Sequence, residues 1–313
     1  MRSVAITGVS GYLGVQMLKK LDEEKEVETV VGIDIRSPSY STGKLKFYSR
    51  DVREPLIDIF AQNKVDTALH LAFIIPPKTH IDAYGVNIGG SRRFLEACEA
   101  TSVEALFYLS SHTVYGAHPD NPAWITEDQP LRPVRKFPYA AHKAEVDLMF
   151  QEYMKSHAKQ NVTIVRVCPV TGPEGGGAGL TVLLMPVMIY VTGYDPQWQF
   201  IHEEDVARLI VTMLKERHAG IFNAGAEGSL SYGEMRKATG RPCVGLPVSL
   251  MLPLIDITWR LHIQRKSPVG GIEFLRYPIL VSTGKLTKTT GFKFRYSSRE
   301  ALMSLLASKK RSP

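Results

Sequence analysis

The stretch Thr7-Gly8-Val9-Ser10-Gly11-Tyr12-Leu13-Gly14 constrains the fold of this chain more than any other. It follows Val4-Ala-Ile-Thr7, which reads as a short buried strand, and precedes a helical pattern through Val15, Leu18 and Leu21. Strand, glycine turn, helix is the context in which glycine spacing marks a phosphate site. Gly8 permits the tight turn, and Gly14 lets the helix pack closely on the strand. Gly11 lets an anion approach a helix N-terminus, where free N–H groups and the dipole favour negative charge. Bare glycines also fit a plain strand-to-helix turn. Val30-Val-Gly-Ile-Asp34 narrows that choice, because it is a second apolar strand ending in a carboxylate about 20 residues past Gly14. Asp34 there would accept hydrogen bonds from adenosine ribose hydroxyls and repel a 2′-phosphate, which favours NAD over NADP. Arg36 close by softens that preference.

A second feature is Tyr139-Ala-Ala-His-Lys143, at the start of a helix. Residues four apart share a helix face, so the phenol and the ammonium are neighbours. A free phenol titrates near about 10. A nearby cation favours the phenolate, so Lys143 is expected to bring Tyr139 down towards neutral pH. Alone, this spacing is common in helices and says little.

With 313 residues the chain is long enough for one large domain with a smaller companion. The net charge of +7 is scattered, and the only dense basic run, Lys309-Lys310-Arg311, reads as a solvated tail. No motif points to nucleic acid. Cys98, Cys168 and Cys243 are far apart and form neither a metal pair nor a disulfide framework, as in a reduced cytoplasmic protein. The N-terminal apolar run is broken early by Gly8 and does not read as a signal peptide. The longest apolar stretch, 180–191, contains Pro186 and is too short to span a bilayer, so no membrane partner is expected.

The Thr-Gly-x-x-Gly-x-x-Gly pattern resembles the short-chain dehydrogenase/reductase family, in particular its extended branch of NAD-dependent epimerases and dehydratases. Segments along nearly the whole chain carry the same resemblance. Asp51-Val52 resembles the pair that contacts adenine, and His70-Leu71-Ala72 the segment beside the cofactor. Asn87 resembles the asparagine that anchors a water in the proton relay; as a residue at a helix start it also reads as a cap. Ser111 matches the catalytic Ser/Thr, with Ser110 as the alternative, and Tyr139 and Lys143 match the catalytic pair. Arg166, Gly172 and Pro173 match a segment whose asparagine, in sugar-nucleotide enzymes, contacts the substrate diphosphate; here Pro169 replaces it. Pro169 and Val170 would then wall the nicotinamide side. His112 and Thr113 stand where related dehydratases carry an Asp-Glu pair. Trp198-Gln-Phe-Ile-His202-Glu-Glu-Asp205 matches a structural return to the main domain, with Asp205 read as a helix cap.

The resemblance implies an α/β fold, a doubly wound parallel Rossmann-type sheet with a smaller, mainly C-terminal substrate domain. The NAD-binding domain would span 1–172, with 198–226 returning to it, and the substrate domain 173–197 and 227–313. Cofactor contacts would come from Thr7, Gly8, Gly11, Tyr12, Leu13, Gly14, Asp34, Arg36, Asp51, Val52, Leu71, Ala72, Asn87, Tyr139, Lys143, Pro169 and Val170. Catalysis would rest on Ser111, Tyr139, Lys143 and Asn87, without a metal, in a homodimer acting on a small molecule. Two outcomes share this machinery, dehydrogenase/reductase and epimerase, and a non-catalytic NAD(P)-binding regulator is the alternative. The apolar stretch 180–190 reads as a core helix of the substrate domain or as the lining for an apolar substrate. The apolar stretch 248–261 reads as a closing amphipathic helix, with a membrane or partner patch as the other possibility.

Overall fold

The computed structural model of the chain describes residues 1–75, 81–175, 180–263 and 269–311. Its apolar runs form seven strands: β1 (Ser3–Thr7), β2 (Thr29–Asp34), β3 (Leu45–Ser49), β4 (Thr67–His70), β5 (Ala105–Ser111), β6 (Asn161–Val167) and β7 (Gly220–Ala224). They make one sheet in the order β7-β6-β5-β4-β1-β2-β3, and every neighbouring pair is parallel. Every residue of β1, β4 and β5 is buried, which is why these segments read as continuous apolar runs rather than alternating ones. The strand order reverses between β1 and β4, so the crevice at their carboxyl ends is the switch point where ligands bind in such sheets.

Helices cover both faces. α1 (Tyr12–Glu23) and α5 (Glu203–Lys215) bury Met17, Leu18, Leu21, Leu209, Ile210 and Met213 against one side of the sheet. α2 (Ile57–Gln62), α3 (Gly90–Ala100) and α4 (Pro138–Ser156) bury Phe60, Phe94 and Phe150 against the other. Pro138 opens α4, where its missing N–H costs nothing and its fixed φ suits the first turn. The fold is therefore the doubly wound α/β architecture expected from the sequence.

A third cluster, separate from these two, gathers Leu183, Met188, Tyr232, Met235, Met251, Leu302 and Leu305. It is built from the helices Thr181–Leu184, Tyr232–Thr239, Val248–Arg260 and Ser298–Arg311 and from the strand Met188–Val191 paired with Cys243–Leu246. The stretch 180–190 is thus not one core helix. Pro186 stops the helix Thr181–Leu184 from continuing, and a strand follows. The basic run at 309–311 lies in the last helix rather than in a free tail.

Candidate active site

The glycine turn is shaped by close backbone approach. Gly8 has φ +74°, and a Cβ there would stand 2.6 Å from the Ala72 nitrogen. At Gly14 a Cβ would run into the carbonyl oxygens of Gly8 and Val9. The Gly8 N–H donates to the Ile33 carbonyl at 2.9 Å, tying the turn to the neighbouring strand. α1 begins after Gly11 with no side-chain cap and no acidic residue in its first turn. Its leading N–H groups and dipole are therefore left for an external anion. Asp34, at the tip of β2, accepts from the Ser10 N–H at 3.1 Å and the Arg36 N–H at 3.3 Å, so its carboxylate is held beside the turn. The turn, the open helix end and the acid fit the pyrophosphate and ribose of a dinucleotide.

Of the other residues expected at this end, Thr7, Leu71 and Ala72 lie beside the turn, while Asp51 and Val52 contact Arg53 and Gly90. Thr7 turns inward, with Oγ1 2.8 Å from His70 Nδ1, and His70 Nε2 lies 2.8 Å from Ser91 Oγ. Burial depresses His70 to about 3, so it is a neutral bridge from β1 to α3. The Leu71 N–H donates to the Thr7 carbonyl at 3.1 Å, and the Leu71–Ala72 backbone packs against Gly8. Asp51 is paired with Arg53, 2.6 Å away, which holds its carboxyl below the ordinary range. Val52 is buried and lies over Gly90 at the start of α3. The Tyr12 hydroxyl donates to Glu203.

The two serines at the end of β5 are separated by their partners. Ser110 Oγ donates at 2.6 Å to Asp147. The same carboxylate receives Arg166 Nε at 3.0 Å and Nη2 at 2.9 Å, and both residues of this ion pair are almost wholly buried. Ser110 is committed to that structural network between β6 and α4. Both serines line the crevice, but Ser111 is turned to other partners: it accepts from the Thr113 N–H at 3.2 Å and hydroxyl at 2.9 Å, and is hydrogen-bonded to Tyr139.

Lys143, one helical turn beyond Tyr139, donates to the Leu109 carbonyl at 2.7 Å and lies 3.8 Å from the centre of the Phe73 ring. Burial brings it down to about 7, against the opposing pull of Asp147. Tyr139 does not come down as expected. Burial pushes it up to about 12, and the Ser111 hydrogen bond only opposes that. The physical reason is that Lys143 points at Leu109 and Phe73, and is itself a weak cation near neutral pH.

Asn87 is not a helix cap. It sits within a π-helical turn, Gly85–Gly89, and clamps the Ile74 backbone, accepting from its N–H at 2.9 Å and donating to its carbonyl at 2.8 Å. Its amide also lies 3.2 Å from His142 Nδ1, which links it to the helix carrying Tyr139 and Lys143. Asp205 is likewise not the cap of α5. His202 Nδ1 accepts from the Glu204 N–H at 3.2 Å, while Asp205 holds the N–H groups of Arg295 and Tyr296 at 2.9 and 3.2 Å.

A cavity of about 350 Å³ joins these parts. Ser111, Tyr139 and Lys143 line it, with Tyr12, Leu13, Pro169 and Val170 on the side of the glycine turn. Away from the turn its wall is mostly apolar, with Leu180, Val182, Met185 and Ile189 from the 180–190 stretch and Ile272, Leu275 and Ile279 from later in the chain, and with Gln197 and Gln199 as polar members. Among the described residues no Asp, Glu or Arg lines it. Phe137, Trp198, Phe274 and Tyr277 add aromatic surface. The aromatic wall and the seat of Lys143 on Phe73 were not read from sequence, because the contributing residues are far apart along the chain and share no local pattern. Burial depresses His112 to about 4, and its Nδ1 has no hydrogen-bond partner among the described residues.

Known proteins share this fold. An uncharacterized protein of Mycobacterium bovis is 25% identical over 311 residues, covering 95% of this chain and 81% of its own. A UDP-glucose 4-epimerase of Yersinia pestis is 28% identical over 289 residues, covering 79% of this chain and 84% of its own. Among solved structures, MoeE5 in complex with UDP-glucuronic acid and NAD superposes with a TM-score of 0.77 at 20% identity, over 99% of this chain and 100% of that one. The UDP-glucose 4-epimerase of Thermus thermophilus, solved with NAD, gives 0.74 at 20% identity over the same shares. Residues 4–225 match a family description that spans the glycine turn, the Ser111 strand and the Tyr139 helix: the chain belongs to the NAD dependent epimerase/dehydratase family.

Proposed function

We propose that the protein moves a hydride between NAD and a hydroxyl- or carbonyl-bearing carbon of a small, predominantly apolar molecule. One observation carries this reading: Ser111, Tyr139 and Lys143 open onto a cleft whose described wall has no acidic residue and no guanidinium. A nucleoside diphosphate brings two phosphates that ask for charged or multiple polar partners. Pro169, in place of the asparagine expected there, removes one such donor.

When bound, the nicotinamide supplies the hydride acceptor or donor, and the residues of this chain handle the proton. Ser111 holds the substrate oxygen and stabilises charge developing on it. Tyr139 gives or takes the proton at that oxygen. Raised to about 12, its phenol is suited to donating in the reducing direction. In the oxidising direction it needs a positive charge brought near, from a protonated Lys143 or an oxidised nicotinamide ring. Lys143 would also hold the nicotinamide ribose once the cofactor binds. Asp34 selects NAD over NADP by charge. Segments 173–197 and 227–313 would form the substrate side, in a homodimer.

The UDP-glucose 4-epimerase relatives favour a second reading, in which the oxidised intermediate is turned and re-reduced on the same enzyme with the cofactor retained. A screen of secondary alcohols, ketones and UDP-sugars, read both by nicotinamide absorbance and by product stereochemistry, separates the two. Net hydride transfer to apolar substrates is the expected result. Epimerisation of a UDP-sugar without net cofactor change would replace the first reading by the second.

A further inference from the structure

The helix Val248–Arg260 was expected to close the interior, yet much of its apolar surface faces outward. Met251 is its only fully buried residue. Leu250, Leu254, Ile257 and Leu261, at i, i+4, i+7 and i+11, are 59%, 49%, 53% and 64% exposed, and Ile263 just beyond is 71% exposed. That spacing places them in one row along the helix. Single exposed leucines are ordinary in soluble proteins; a row of them along one face is not. The helix has one acidic and one basic residue, Asp256 and Arg260, which pair at 2.9 Å and leave it without net charge.

Charge identifies what covers this face. Apart from Lys309-Lys310-Arg311 the basic residues form no dense run, but they are unevenly divided along the chain. Residues 227–313 contain 15 of the 38 Lys and Arg and 5 of the 31 Asp and Glu, a surplus of ten positive charges. Residues 1–226 are therefore net negative, since the whole chain is +7. The apolar row thus belongs to the strongly basic part of the molecule. An apolar stripe on a helix within a cationic region is the physical profile of a surface that meets anionic lipid. No helix among the described residues is long and apolar enough to cross a membrane.

We propose that the helix Val248–Arg260 docks the protein onto an anionic bilayer surface, with Leu250, Leu254, Ile257 and Leu261 entering the interface. The same helix turns Ile255 into the cavity that holds Tyr139, so it separates the bilayer from the cleft by one helix thickness. A lipid-dissolved alcohol or ketone would then reach the cleft past this helix. That last step rests on the apolar-substrate reading above; the docking itself does not.

The test uses the full chain with phosphatidylcholine vesicles, with and without phosphatidylserine. The wild type should sediment with phosphatidylserine-containing vesicles, less so as salt is raised. The double variant Leu254→Glu/Ile257→Glu should partition about tenfold less or weaker still, with an unchanged melting curve. Trp259 lies on this helix, and the tryptophan emission of the wild type should shift to the blue when those vesicles are added. Wild-type protein that stays in the supernatant overturns the docking, as does equal partitioning of the double variant. A wild-type oligomer that the double variant splits also overturns it, by making the row an interface between copies. Vesicle binding without turnover of apolar alcohols would sink the substrate reading alone. Turnover in detergent without vesicle binding would sink the docking alone.

Discussion

The Nζ of Lys143 lies 2.7 Å from the carbonyl oxygen of Leu109, inside the crevice and within one helical turn of Tyr139. This contact fixes the ammonium where water is scarce. Its value falls from 10.5 to about 7 because burial disfavours the charged form. Below about pH 7 the folded protein carries the full cost of a buried cation. Between about 7 and 10.5 the unfolded chain holds a proton that the folded chain has lost, so stability rises with pH across that window. Lys143→Met removes this rise. Its melting temperature should exceed that of the wild type most at and below neutral pH, and the gap should narrow as pH approaches 10. A gap independent of pH would show that Lys143 keeps its ordinary value.

The two adjacent serines should respond oppositely to deletion. Ser110→Ala takes a hydrogen bond from the buried Asp147 carboxylate and should cost about 1.5–3 kcal/mol of stability, with turnover per folded molecule near wild type. Ser111→Ala should lower kcat by about 10²–10³-fold, with a stability loss of about 1 kcal/mol from removing the acceptor that caps the Thr113 N–H. Urea unfolding and initial rates, measured on the same preparations, check both.

On the proposed charge selection by Asp34, Asp34→Asn should raise the affinity for NADP relative to NAD by roughly tenfold. Thermal-shift titration with each dinucleotide measures it. An unchanged ratio would mean that the acid held by Ser10 does not face the ribose.

Gly8→Ala places a methyl group 2.6 Å from the Ala72 nitrogen at a φ of +74°. The change should cost about 2 kcal/mol or more and abolish dinucleotide binding, because the backbone on both sides of the turn must move apart. Chemical denaturation and dinucleotide titration of the variant measure the two effects.

The sheet and the nucleotide end were legible in the sequence because each rests on local signals. A strand, three glycines and an acid at the next strand end specify the turn around Gly8 and Asp34 almost by themselves. Ser111, Tyr139 and Lys143 were legible as positions but not as an electrostatic unit. The value of Tyr139 depends on burial and on where Lys143 points, and neither is encoded in a spacing of four. Asn87 and Asp205 read as caps on local grounds. Asn87 clamps Ile74, and Asp205 holds residues 90 or so positions away, which only the folded chain brings near. The stretch 248–261 is legible as an amphipathic helix. Which way its apolar row faces depends on the third core cluster, whose residues come from separate parts of the chain between Leu180 and Leu306.

The central claim is that Tyr139 handles the proton while hydride passes between NAD and an apolar substrate. The most direct measurement compares wild type and Tyr139→Phe in nicotinamide absorbance after mixing with NAD and a secondary alcohol that the wild type turns over. The account predicts a loss of about 10²–10⁴-fold in rate, with NAD affinity and melting temperature retained. A Tyr139→Phe protein that turns the same alcohol over at the wild-type rate would contradict it.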